Sequence, residues 1–332
     1  MYTLLTGGAG YIGSHLSKLF LEKNKKFVIV DNLSNSDKRL LGKLENHFCK
    51  KIPFFQIDIL RKDKLQEVFK SYKFNSIIHL AAKKSVPESF KIPKIYKEVN
   101  VMGTKNLIDL AIQNKIKTFI YSSSASVYGE PNYLPCDENH PLKPLSPYAS
   151  TKLQAEKLFE KDKISRSNMN VIILRYFNPI SSDPQSIIGE KSNVKTNNVM
   201  NEIHEVATGR KEIFPIFGNN YPTNDGTCIR DYIHVEDLAR SHIHFIEKQY
   251  KLKKLEVFNV GIGKGYSVLD LISEFNSVNG LKLHFKFINK RSGDIGSIYA
   301  DVSKILNLTN WKPRYNLKNM VEDSWRYIKF NQ

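Results

Sequence analysis

Seven residues near the amino end constrain this chain more than any other stretch. Gly7-Gly8-Ala9-Gly10-Tyr11-Ile12-Gly13 follows the short apolar run Thr3 to Thr6 and opens a segment in which Ile12, Leu16, Leu19 and Phe20 recur at helical spacing. Strand, tight glycine turn and helix together begin a parallel sheet. Gly7, Gly10 and Gly13 let backbone N–H groups reach a pyrophosphate at the positive end of the helix. The next run, Phe27 to Val30, reads as a strand buried on both faces, and Asp31 ends it 18 residues beyond Gly13. A carboxylate there accepts from a ribose 2′-hydroxyl and repels a 2′-phosphate, so the spacing favours NAD over NADP.

The rest of the first half repeats the alternation. Apolar runs at Phe54 to Ile57, Ser76 to Leu80, Thr118 to Ser122 and Val171 to Leu174 alternate with helix-compatible segments at Lys62 to Tyr72, Ile95 to Asn114 and Pro147 to Lys163. This order predicts an α/β fold, a doubly wound parallel-sheet Rossmann domain with a smaller C-terminal substrate-binding lobe. The first domain is expected over 1–177 and the second lobe over 178–332, with 229–260 returning to the first. In the second half a polar stretch runs to Asn198, and Gly-, Asn- and Pro-rich segments follow to Thr227. A helix is expected from Val235 to Lys248, a strand over Val257 to Val260 and a helix from Val268 to Asn276.

Composition narrows the function. The net charge is +17, but only 10 of the 50 basic residues are arginine and the lysines are spread along the chain. That is a solvated surface, attractive to anionic substrates, and not a nucleic-acid-binding arm. Three scattered cysteines encode neither a disulfide framework nor a metal site, and a reducing cytoplasm is expected. The opening Met1 to Gly7 lacks a basic segment followed by an apolar one, and no apolar run approaches the ~20 residues of a membrane span.

Tyr148-Ala-Ser-Thr-Lys152 spaces a phenol and an ammonium four residues apart on one helix face, an arrangement that suits either a solvated face or an acid–base pair. Poising a phenol near neutrality takes about 3 pKa units, or roughly 4 kcal/mol, and a neighbouring ammonium acts in that direction. The run Ser122 to Gly129 ends a strand at the sheet edge where ligands bind. Ser124 is placed there to hold a hydroxyl that Tyr148 deprotonates, though the run also suits a turn or helix cap. Asp58, at another strand end, suits either the adenine amino group or a cap for a helix starting near Arg61.

With these residues in place the chain resembles the extended short-chain dehydrogenase/reductases and, among them, the UDP-glucose 4-epimerases. The narrower likeness is carried by His79 to Ser89, Leu174 to Pro179, Ile216 to Asn219, Tyr221 to Thr223, Asp225 to Thr227, Arg230 to Val235 and Ala300 to Lys304. The resemblance implies that Tyr11 and Ile12 cover the pyrophosphate of NAD, that Asp31, Asn32, Asn35 and Ser36 lie along the adenosine ribose, and that Asp58 and Ile59 border adenine. It implies Leu80, Ala81, Lys84, Asn100 and Ser122 as further cofactor contacts, with Tyr148 and Lys152, and Tyr176 and Phe177 near the ring. For the substrate, UDP-galactose or UDP-glucose, it implies Lys84, Ser124, Tyr148, Asn178, Asn198, Val199, Phe217, Arg230, Arg291 and Asp294. Ile298 falls beside the C2 substituent of the sugar, where a residue of this type also suits an ordinary core position. The forked donors of the two arginines match a diphosphate, although either alone also suits the surface.

The chain departs from the family pattern at Ile180-Ser181-Ser182, where Gly-Ala-His is usual, and at Asn201, where proline is common; both are expected on a connecting loop. The implied reaction is reversible redox at one carbon: Tyr148 and Lys152, with Ser124, move the proton of the 4-hydroxyl while hydride passes between C4 and NAD. The resemblance implies a homodimer through the helices near Ile95 to Asn114 and Pro147 to Lys163 as well, although the apolar residues there equally suit the core. The rival enzymes on this scaffold, a UDP-N-acetylhexosamine 4-epimerase or a 4,6-dehydratase or decarboxylase, share the cofactor. The last two need a carboxylic acid where this chain has Ala125 and Ser126. A cofactor-sensing protein without catalysis would be expected to lack the Tyr148/Lys152 pair.

Overall fold

The computed structural model describes residues 1–190, 198–247, 250, 252–291 and 293–331, with Asp162 described by its backbone only. In the first half the strands are β1 (Tyr2–Thr6), β2 (Phe27–Asp31), β3 (Phe54–Gln56), β4 (Phe74–His79), β5 (Thr118–Ser124) and β6 (Asn170–Tyr176). In the second half they are β7 (Asn178–Ile180), β8 (Phe214–Phe217), β9 (Ile229–Arg230), β10 (Tyr232–His234), β11 (Leu255–Val260), β12 (Tyr266–Ser267), β13 (Phe285–Ile288) and β14 (Ser297–Ile298). Seven of them form one parallel sheet in the order β3-β2-β1-β4-β5-β6-β11. The order reverses between β1 and β4, and the glycine turn lies at that switch point, where open α/β sheets bind ligands.

Period-two alternation divides the apolar side chains between two layers. Leu5, Ile29, Ile78, Ile120, Ile172 and Phe258 face helices Tyr11–Glu22 and Val235–Glu247. Their chain neighbours Leu4, Val28, Ile77, Phe119 and Ile173 face helices Lys62–Ser71 and Gly103–Gln113. Strands covered on both faces are continuous apolar runs, which is how they read in the sequence.

The second half makes three small sheets, β10-β7, β12-β9-β14 and β13-β8. They share a core of Ile180, Met200, Phe214, Ile216, Leu271, Phe275, Met320 and Trp325. Within 229–260, β9 and β10 sit in these small sheets, whereas helix Val235–Glu247 packs on helix Tyr11–Glu22 and β11 extends the large sheet. The expected end of that helix, Lys248, lies outside the described residues.

Several elements differ from expectation. The segment Ile95 to Asn114 is a helix Pro93–Lys97, a π turn Glu98–Met102 and a helix Gly103–Gln113. The segment from Pro147 is helical to Lys157, closes in a 3₁₀ turn Leu158–Glu160 and is followed by a short helix Asp162–Ser165. Asn201, expected on a loop, lies in helix Val199–Ala207, which Asn198 caps by accepting from the Met200 N–H at 3.2 Å. Capping boxes at Ser267/Asp270 and Asn316/Asn319 open helices Val268–Asn279 and Leu317–Phe330. No helix among the described residues is long and apolar enough to cross a membrane.

Candidate active site

The glycine turn is closed by contacts that admit no side chain. A Cβ on Gly7 (φ +74°) would stand 2.6 Å from the Ala81 nitrogen, and one on Gly13 would stand 2.3 Å from the Gly7 oxygen. Helix Tyr11–Glu22 starts at Gly10 with no side-chain cap, and its first bond is Ser14 N–H to the Gly10 carbonyl at 2.8 Å. The amides of residues 11–13 are thereby left for an anion, which fits the pyrophosphate of NAD. Asp31 faces this turn, accepting from Ala9 N–H at 3.1 Å, Leu33 N–H at 2.9 Å and the Ser36 hydroxyl at 2.7 Å. Ser36 therefore orients Asp31, while Asn35 stands exposed.

Asn32 donates to Asp58 at 2.8 Å, and Asp58 also accepts from Leu60 N–H at 2.9 Å. That bond closes a turn and is not a helix cap, because helix Lys62–Ser71 begins at Arg61 with no side-chain cap. Ile59 is buried against Gly103, and the N–H groups of Leu80 and Ala81 both donate to the Thr6 carbonyl.

Register carries the site from the large sheet to helix Pro147–Lys157. Ser122, Ser123 and Ser124 end β5 opposite Leu174, Arg175 and Tyr176 of β6. Ser124 caps the turn Ala125–Val127 by accepting from Ser126 N–H at 3.2 Å, and its hydroxyl also faces the Tyr148 phenol. The turn reading of the serine run holds, and Ser124 stands on the side of Tyr148. The Lys152 ammonium donates to the Ser122 carbonyl at 2.7 Å and lies 5.2 Å from the Tyr121 ring centre.

Burial pushes the Tyr148 phenol up, opposed by Ser124, and Lys152 is not among the groups acting on it. The lowering expected from the lysine is thus absent in this arrangement, and desolvation sets the direction. Burial also brings Lys152 down to about 8, with Glu156 opposing. Asn100 is brought in by the π turn: it accepts from Lys83 N–H at 2.8 Å and donates to the Thr151 hydroxyl at 3.0 Å. Tyr176 is buried and its hydroxyl meets His242.

The second lobe reaches the same edge. Phe177, Ala125 and Ile298 share one apolar cluster, and β14 sets Ile298 beside Arg230 of β9. Arg230 donates to the Ile229 carbonyl at 2.8 Å, and Asn178 N–H to the Asp231 carbonyl at 2.9 Å. Arg291 donates to Asp294 at 2.9 Å and lies 4.2 Å from the Phe217 ring centre. Tyr221 is buried with Lys290 4.0 Å from its ring centre, and burial first of all pushes its hydroxyl up, Asp294 adding to this and Arg230 opposing it. Lys84 pairs with Glu190 at 3.3 Å, and the other Glu190 oxygen accepts from Asn198 at 2.6 Å, beside Val199.

The departure at Ile180-Ser181-Ser182 is packed inside the protein. The Ser181 carbonyl accepts from the Tyr11 hydroxyl at 2.6 Å, and neighbouring Asp183 pairs with Lys18 at 2.9 Å. Residues not singled out from the sequence but placed at the site are Glu156, Glu190, Tyr221 and Asp231. Asp231 is buried and accepts from Ile262, Gly263 and Ala300 N–H groups at 2.8, 3.0 and 3.2 Å. Tyr221 and Asp231 fall inside stretches that carry the family likeness and Glu156 keeps a spacing of four residues from Lys152, whereas Glu190 left no signal.

Comparison with known proteins agrees with this geometry. The family model described as GDP-mannose 4,6 dehydratase matches residues 4–324. A UDP-glucose 4-epimerase of Dictyostelium discoideum is 39% identical over 329 residues, 99% of this chain and 96% of the relative. The crystal structure of a UDP-glucose 4-epimerase from Stenotrophomonas maltophila with bound NAD and formylated UDP-arabinopyranose superposes with a TM-score of 0.94. It is 35% identical, covering 99% of this chain and 98% of that one. One from Bifidobacterium longum in complex with NAD+ and UDP gives a TM-score of 0.94 at 32% identity, covering 100% and 99%. With likeness of this extent on a glycine turn, a Tyr148/Ser124 pair and a second lobe bearing arginines, the chain belongs to the UDP-glucose 4-epimerase family of extended short-chain dehydrogenase/reductases.

Proposed function

We infer that this protein interconverts UDP-galactose and UDP-glucose by reversible epimerisation at C4, with NAD as its cofactor. The observation that carries the reading is the meeting of Tyr148 and Ser124 at the sheet edge beside the glycine turn. When bound, NAD supplies the acceptor for the C4 hydride and afterwards its donor. Tyr148 takes the proton of the 4-hydroxyl, and Ser124 hydrogen-bonds the same oxygen. Lys152, lodged on the Ser122 carbonyl, holds positive charge beneath them. The resulting 4-keto sugar turns its other face while Arg230 and Arg291 grip the diphosphate, and Tyr148 then returns the proton. Firm UDP binding and a loosely held ring are both required.

A 4,6-dehydratase is disfavoured because Ala125 is buried and Ser126 donates to the Ser124 hydroxyl at 2.9 Å, leaving no carboxylic acid after Ser124. The test is incubation of purified protein with UDP-galactose without added oxidant, followed by separation of the epimers. A product that accumulates as UDP-glucose is expected, and no conversion by NAD-loaded protein would refute the reading.

The division into 1–177, with part of 229–260 returning, and 178–332 belongs to the same proposal, one half holding NAD and the other UDP. So does a homodimer through the helices near 95–114 and 147–163. Phe90 at 52% exposure and Met102 at 48%, with exposed Val86 and Ile95, support such an interface. Sedimentation at micromolar concentration decides it, and a monomer there would overturn it. Free thiols at Cys49, Cys136 and Cys228 support a cytoplasmic setting.

A further inference from the structure

Helix Pro147–Lys157 meets β5 through three residues spaced by four: Tyr148, Lys152 and Glu156. Each takes one of three consecutive serines. Tyr148 faces the Ser124 hydroxyl, Lys152 donates to the Ser122 carbonyl at 2.7 Å, and Glu156 accepts from the Ser123 hydroxyl. Glu156 has a second partner in Arg175, the residue opposite Ser123 on β6, whose Nε and Nη2 donate to its two oxygens at 3.1 and 2.7 Å. Arg175 continues to the Tyr128 hydroxyl at 3.2 Å and the Glu138 carbonyl at 3.3 Å, and Tyr128 donates to Asn259 at 2.6 Å. Glu156, Arg175 and Lys152 are all 4% exposed or less.

Buried ion pairs are weak sources of stability, since desolvating both charges consumes most of their attraction. An apolar pair would fill this space as well. What it would not supply is a carboxylate held one helical turn from Lys152. The other groups around the pair offer none. His79, between Thr6 and Thr104, is pushed down to about 3 by burial and is neutral. Tyr121 and Tyr176 present phenols. Tyr96 lies edge-on to Tyr148 at 6.5 Å, under Lys83 and bound to Glu88 at 2.8 Å.

We propose that Glu156 is a positioning residue of the reaction: clamped by Ser123 and Arg175, it fixes the end of β5 against the helix, so that Lys152 and Tyr148 meet Ser122 and Ser124, and sets a carboxylate one turn from Lys152. This rests on the reading of Tyr148 as the base. Without Glu156 the desolvated lysine loses its proton at lower pH, and above that point it lends the phenolate no positive charge. The alkaline limb of the pH profile of kcat therefore moves inward, to lower pH, while the acid limb, where Lys152 is protonated with or without Glu156, stays.

The test is that profile, measured with UDP-galactose on NAD-loaded wild type, Glu156→Gln and the double variant Glu156→Gln/Arg175→Met. The double variant leaves no unpaired guanidinium if the single one fails to fold. The expected result is inward movement of the alkaline limb by about 1 to 3 pH units, the scale of a lost neighbouring opposite charge. KM should change little. Phenolate absorbance, taken as the difference from the matching Tyr148→Phe protein, should titrate at higher pH, a readout independent of turnover. A folded double variant with a wild-type alkaline limb and an unmoved phenolate titration would overturn the proposal and leave Glu156 a structural residue. Failure of the base reading looks different: Tyr148→Phe would then keep its activity.

Discussion

Ile298→Ala separates two roles that the structure gives one side chain. Ile298 is 5% exposed and packs with Ala125, Cys136, Phe177 and Ala300, which is a core position. It also stands opposite Arg230 in β14, beside the cluster that backs Ser124, which is where a sugar ring would lie. Truncation removes three carbons. At ~0.8 kcal/mol each the transfer loss is about 2.4 kcal/mol, and incomplete collapse of the hole brings the total to roughly 3 kcal/mol. Ile298→Val removes one carbon and should lose only ~0.5 to 1.5 kcal/mol.

Being β-branched, isoleucine has little rotamer freedom with which to withdraw from a bulky C2 substituent. Discrimination by one or two carbons is worth ~1 to 3 kcal/mol, or about 10- to 200-fold. Wild type should therefore act mainly on UDP-galactose and UDP-glucose and slowly on UDP-N-acetylglucosamine. The assay is kcat/KM for both sugar classes in wild type, Ile298→Val and Ile298→Ala, with urea midpoints measured in parallel. The ratio favouring the N-acetyl sugar should rise in that order while stability falls. A constant ratio, or equal loss on both sugars, would show that Ile298 supports packing and does not gate the substrate.

Tyr148→Phe should lower turnover by at least ~10²-fold with a wild-type melting curve, and near-normal turnover would remove the phenol from the mechanism. Asp31→Ala should narrow the preference for NAD over NADP; calorimetry on stripped protein showing equal affinities in wild type would contradict the like-charge argument. It should also weaken NAD binding itself, because Asp31 ties Ala9 N–H to the end of β2. His79 and His204 are pushed down to about 3 and His242 to about 4 by burial, so all three are neutral in the folded protein. The unfolded chain binds these protons first, so their contribution is fully present above pH ~6.5 and is lost as pH falls toward 3 to 4. Urea midpoints should drop steadily between pH 6.5 and 4.5; a flat profile there would mean that the histidines are charged or exposed in the native state.

Much of the fold was legible because its signals are local. Runs such as Phe27 to Val30 must be strands covered on both faces, and Gly7, Gly10 and Gly13 form a turn whatever packs around them. The small elements of the second lobe were not legible. Strands such as β9, β12 and β14 have two residues each, too short for any periodicity to register, and exist because neighbouring segments pair with them. Helices Val199–Ala207 and Leu317–Phe330 lie outside the expected elements although each has an amphipathic face and a capping asparagine. The π turn at Glu98–Met102, which delivers Asn100, also has no signature in residue type.

At the site the same division holds. The sequence by itself determined the glycine turn, the carboxylate at the end of β2 and the four-residue spacing of Tyr148 and Lys152, because each depends on neighbours along the chain. Tertiary structure alone decided that burial raises the Tyr148 phenol, that Lys152 spends its proton on the Ser122 carbonyl, and that Glu156 is clamped by Arg175. It also decided that Glu190 joins Lys84 to Asn198 and that Lys290 lies over the Tyr221 ring. Those outcomes depend on desolvation and on charges brought together from distant positions, quantities that exist only once the sheet and the second lobe have closed around them.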